Sequence, residues 1–190
     1  MNNKMLGAVA LLGAPAMALG IWMEERYAEG LPSWWQGAWG VLYLTGFMAS
    51  MLAFRRMEVA GENRLGGLLP RLMLVTLTIG NLSNLWLMIA PEKRTTFYFV
   101  LDAGWPLSHV LMLVFGILVA KAGVLRGWKR YVPLFCGGWL PLAMATKIAD
   151  ASALSFVFGS VYNALAWSLL ALVVLTSASS QNSFAVKAFH

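Results

Sequence analysis

Residues 68–90, "LLPRLMLVTLTIGNLSNLWLMIA", carry a single charged side chain, Arg71. A run this long and apolar matches the roughly 20 residues that a helix needs to cross the hydrocarbon of a bilayer. Comparable runs recur along the chain. They are continuously apolar and do not alternate with period two, which excludes an outer-membrane barrel. The composition agrees: 59% of residues are hydrophobic and 12% charged, against about 25% charged in an ordinary soluble domain. The expected fold class is all-α, a polytopic membrane protein built as a bundle of six transmembrane helices.

The spans are expected at 5–23, 34–54, 68–90, 97–120, 132–149 and 153–176, followed by a short polar tail at 177–190. A length of 190 residues suits one transmembrane bundle over 1–190 with no separate soluble domain. The first span has a rival reading as a signal peptide, with "APAMA" as the cleavage motif. Its apolar run continues through "LGIWM", so it is read as a true span. The fifth span is the shortest and contains "CGG" and Pro141, so a bent or tilted helix is expected there.

Net charge is +6, and its placement argues for a membrane and against nucleic acid. Lys4, Arg55, Arg56, Arg64, Arg71, Lys121, Arg126, Lys129, Arg130 and Lys187 fall on one side of the expected spans; Arg26, Lys93, Arg94 and Lys147 fall on the other. The positive-inside rule then places both termini in the cytoplasm, N-in and C-in, of a bacterial inner membrane. Six of the eight acidic residues lie on the outer side, among them Glu29, Asp102 and Asp150. Trp22, Trp34, Trp35, Trp39, Trp86 and Trp105 cluster there too, as an interfacial belt would. Ala16/Gly20, Gly46/Ser50 and Gly116/Ala120 are small-residue pairs at helical spacing, suited to close packing inside the bundle or to dimerisation.

Hydrocarbon offers no partner to a polar side chain, so those within spans must turn toward each other or toward water. On the fourth span Asp102, Trp105 and His109 stand at i, i+3 and i+7, with His109 about 10 Å deeper than Asp102. Asn81 and Asn84 lie in the outer half of the third span. The sixth contributes Ser155, Gly159, Tyr162 and Asn163, and Lys147 pairs in sequence with Asp150 at the end of the fifth. Four helices thus place polar groups at one height. The expected ligand-binding set is Asn81, Asn84, Asp102, Trp105, His109, Tyr162 and Asn163, lining a recess open to the outer side. The competing reading makes the same groups interhelical hydrogen bonds, each contributing about 0.6 kcal/mol.

Catalytic and metal-ligand patterns are sparse. Cys136 is the only cysteine, and no zinc, nucleotide or nucleophile-elbow motif occurs. Ser108 and His109 are adjacent on a helix and project about 100° apart, so with Asp102 they make no triad. No cofactor is expected. Haem on His109 would need a second axial ligand, and the other histidine, His190, lies at the far end of the chain. The leading expectation is a non-enzymatic sensor, assembly factor or accessory subunit that binds a membrane lipid, a small amphiphile or a partner membrane protein, possible partners including a second copy of the chain. A transporter of protons or a small solute ranks next. An enzyme acting on outer-leaflet lipid, with Asp102 and His109 as acid and base, ranks third.

Overall fold

The structure, a computed structural model, describes residues 2–27, 33–149 and 157–187. Glu29, Asp150, Ser155 and His190, all named in the expectations above, lie outside the described residues. Every regular element among them is helical: α1 (Asn3–Gly13), α2 (Ala16–Tyr27), α3 (Trp35–Arg56), α4 (Arg64–Ile89), α5 (Thr96–Asp102), α6 (Gly104–Ala122), α7 (Val132–Ile148) and α8 (Tyr162–Lys187). Five units are long and apolar enough to cross a membrane, namely α1 with α2, α3, α4, α5 with α6, and residues 159–177. α7, at 17 residues, packs beside them as the sixth member of the bundle.

Two expected spans are broken, each for a local reason. Pro15 has no N–H to donate and its ring crowds the preceding turn, so the first span divides into α1 and α2 around Ala14 and Pro15. The fourth divides at Ala103, just before Pro106, leaving Asp102 at the end of α5 and Trp105 and His109 on α6. At the last span a π-helical turn, Val157–Val161, precedes α8, and the helical backbone runs to Lys187, beyond residue 176 where the expected span stops.

Helix ends follow the sequence closely. Asn2, Asn63 and Thr95 accept backbone N–H groups at the starts of α1, α4 and α5. Gly123, with φ +67°, takes the left-handed conformation that ends α6.

Glycines set the closest helix crossings. A Cβ on Gly13 would stand 2.8 Å from the Cα of Gly46, joining α1 to α3. On α7 a Cβ at Gly137 would meet the Leu113 backbone nitrogen at 2.6 Å, while Gly116 of α6 faces Pro133 and Leu134 in return. The small residues named above, Gly20, Gly46 and Gly116, are thus spent on contacts within the chain.

One end of the bundle holds Glu24, Glu25, Glu92 and Asp102 and is called the acidic end below; the opposite, basic end holds Arg55, Arg56, Arg64, Lys121 and Arg126. Toward the basic end the core is apolar apart from Ser50, whose hydroxyl bonds back to the Gly46 carbonyl, with Met51, Phe54, Met73, Met112, Phe115 and Val119 fully buried. Outward faces carry Leu42, Val75, Leu82, Val110, Val114 and Leu165, all exposed. So continuous an apolar exterior would be a liability in water and is compatible with a multi-pass membrane protein.

Candidate functional site

At mid-height α3, α6 and α8 meet through one phenol. Tyr43 (α3) is 1% exposed, and its hydroxyl lies 3.1 Å from His109 Nε2. Asn163 Nδ2 donates to the same oxygen at 2.9 Å, and the Trp167 indole N–H donates to it as well. The proton positions follow from valence. His109 Nδ1 lies 3.0 Å from the Trp105 carbonyl oxygen. A carbonyl can only accept, so Nδ1 carries the hydrogen and Nε2 presents a lone pair. Tyr43 must then donate to Nε2, while its oxygen accepts from Asn163 and Trp167. The phenol makes one donation and two acceptances, its full capacity.

Aromatic rings enclose this network. Phe47, Trp105, Trp139 and Trp167 stand with ring centroids 4.9–5.6 Å from that of His109. His109 itself is 0% exposed. Two groups in the cluster are left over, because Asn163 Oδ1 and the Trp139 indole N–H are buried without a partner.

Above the network, toward the acidic end, lies a recess of about 270 Å³ between α2, α3, α4, α5 and α6. Its polar lining comprises Gln36, Asn84, Arg94 and Asp102; its aromatic lining comprises Trp39, Tyr43, Tyr98 and Trp105. Gly40 makes room for Asn84, whose side chain fills the place a Cβ would occupy. Asp102 accepts from Ser83 at 3.2 Å, Arg94 donates to Gln36 at 2.7 Å, and Trp39 donates to Glu24 at 2.8 Å. Among the described residues Arg94 and Asp102 form no ion pair with each other. On the far side of Trp105 and Met17, which line both spaces, a second cavity of about 670 Å³ is walled by Ile21, Trp139, Leu140, Ala143 and Met144 and flanked by Glu25 and Lys147.

The seven expected site residues therefore separate. Asn84, Asp102 and Trp105 line the recess together. His109 and Asn163 lie below it in the packed network. Asn81 reaches Thr45 at 3.3 Å and Asn84 at 3.4 Å, and Tyr162 donates to the Phe135 carbonyl at 2.7 Å, away from the recess. Ser108 bonds to the Gly104 carbonyl and to Thr76, so it is turned away from His109, as its position on the helix required. Asp102 and His109 bond to different partners and not to each other. Asp150, the expected partner of Lys147, lies outside the described residues.

Tyr43, the hub, is not among the residues that the sequence singles out. The available signal was a lone phenol in an apolar helix with Gly40 and Gly46 three residues to either side. Among the described residues no cluster of three or more His, Cys, Asp or Glu is placed to hold a metal ion. Compared with protein-family models, with curated proteins and with solved structures, the chain has no match.

Proposed function

We propose that this chain is a multi-pass protein of a bacterial inner membrane, with both termini cytoplasmic, that binds a small amphiphile or a partner membrane protein through the recess at its acidic end. It works without catalysis of its own, as a sensor, assembly factor or accessory subunit. The observation that carries this reading is the recess: unpaired opposite charges, two amides and four aromatic rings surround about 270 Å³ toward the acidic end. The excess of basic residues at the other end supports the orientation.

Binding is favoured over transport by what lies beneath. A transporter needs a route to the second side. Below the recess stands a hydrogen-bonded network with its central phenol saturated, and then the apolar layer of Met51, Phe54, Met73, Met112 and Phe115. Native mass spectrometry after gentle extraction tests the reading. A retained amphiphile or a stoichiometric partner is expected, reduced by Asp102→Asn. An empty monomer under every gentle condition would overturn it.

A further inference from the structure

We infer that the recess recognises a zwitterion: a substituted ammonium group carrying its own anion, as in a choline or ethanolamine phosphate. This rests on the recess being a binding site and names the chemistry it would select.

Trp39, Tyr43, Tyr98 and Trp105 come from three helices and line one small space with the carboxylate of Asp102. Aromatic faces are the negative part of the ring quadrupole. A cation held within about 6 Å of several ring centroids is attracted to them, and alkylated ammonium ions are the ligands for which aromatic boxes are best suited. Two of these rings have their donors committed elsewhere, Tyr43 to His109 and Trp39 to Glu24. Tyr43 and Tyr98 are buried, so the ring surface that the recess meets is mainly that of Trp39 and Trp105.

The charges make the choice sharper. Asp102 is partly buried in the wall, whereas Arg94 is exposed and bonded to Gln36. A simple anion would meet the carboxylate, and a simple cation would leave the guanidinium unmatched. A molecule with ammonium and anion a few bonds apart satisfies both, and as a phosphodiester head it brings no net charge into a low-dielectric wall.

The same head could belong to a lipid or to a free solute. Trp105 and Met17 also border the apolar cavity beside Leu140, Ala143 and Met144, which gives a lipid's chain a place that a free zwitterion would not use.

The test uses the full chain in maltoside micelles and in nanodiscs. In micelles it is titrated, by tryptophan fluorescence and calorimetry, with phosphocholine, tetramethylammonium, inorganic phosphate and 3,3-dimethylbutyl phosphate, in which carbon replaces the nitrogen. In nanodiscs mixing phosphatidylethanolamine with phosphatidylglycerol, the lipid retained on gentle extraction is counted by native mass spectrometry. A free-solute site binds phosphocholine at least about tenfold more tightly than its carbon isostere. A lipid site instead retains phosphatidylethanolamine about tenfold over phosphatidylglycerol. In either case Asp102→Asn and Trp105→Leu abolish most of the preference, and Arg94→Gln weakens phosphocholine without affecting tetramethylammonium. Equal binding of the carbon isostere together with no lipid preference overturns the inference on the unmodified chain, whatever the variants do. Retention of an amphiphile without an ammonium group would remove the zwitterion and leave the binding reading standing. An empty chain in every arm would remove both.

Discussion

The Tyr43 hydroxyl donates to His109 Nε2 across 3.1 Å, joining residues 66 positions apart in sequence. This bond ties α3 to α6, and through Asn163 and Trp167 the same oxygen reaches α8.

Removing that one oxygen strands three partners. Tyr43→Phe leaves His109 Nε2, Asn163 Nδ2 and the Trp167 N–H without their bonds. At about 0.6 kcal/mol for each interhelical bond, the expected loss is about 2 kcal/mol, read from the unfolding midpoint in mixed detergent. Asn81→Val, which gives up long bonds of 3.3 Å to Thr45 and 3.4 Å to Asn84 on a partly exposed face, should cost less. An unchanged midpoint for Tyr43→Phe would remove the phenol from its central place in the bundle.

Gly137→Ala and Gly67→Ala are the same substitution with opposite expected outcomes. At Gly137 the new methyl would meet the Leu113 nitrogen at 2.6 Å and the Met112 carbonyl carbon at 2.9 Å, both backbone atoms that cannot swing aside. α6 and α7 must then separate, and size-exclusion should lose the monodisperse peak. At Gly67 nothing lies within 4 Å, so the alanine should be tolerated or stabilise α4 by about 0.5–1 kcal/mol.

Haem should not bind through His109. Ligation needs a ring nitrogen with a free lone pair, but Nε2 accepts from Tyr43 and Nδ1–H donates to Trp105, inside a shell of four aromatic rings. Hemin added to the purified protein should give no Soret shift that His109→Ala abolishes. Such a shift would mean that the network opens.

Orientation can be read with cysteines placed on a Cys136→Ala background, Cys136 itself being fully buried. Glu92 and Arg126 are exposed at opposite ends of the bundle. In intact spheroplasts Glu92→Cys should react with an impermeant maleimide, and Arg126→Cys only after lysis. The reverse pattern would invert the bundle and turn the recess to the cytoplasm.

Much of the architecture was legible in one dimension because lipid imposes a simple rule. A spanning helix must be long and apolar, so counting hydropathy located the helices. Polar residues cannot face hydrocarbon, so counting depth gathered Asn84, Asp102 and Trp105 at one level. The helix break at Ala103 was less visible, since Pro106 marks where bending is cheap without saying which way the chain bends.

What tertiary structure alone decided was azimuth. Depth follows from 1.5 Å of rise per residue, but which neighbour a side chain meets depends on how each helix is rotated and how closely it approaches. Glycine crossings such as Gly13 with Gly46 and Gly116 with Leu134 settle that rotation, and they are properties of pairs of helices. Hence His109 and Asn163, expected to line the same chamber as Asp102, close its floor around Tyr43, while Tyr162 turns to the Phe135 carbonyl. The bilayer constrains each helix separately along its normal, and only the packing of helices against each other selects directions in its plane.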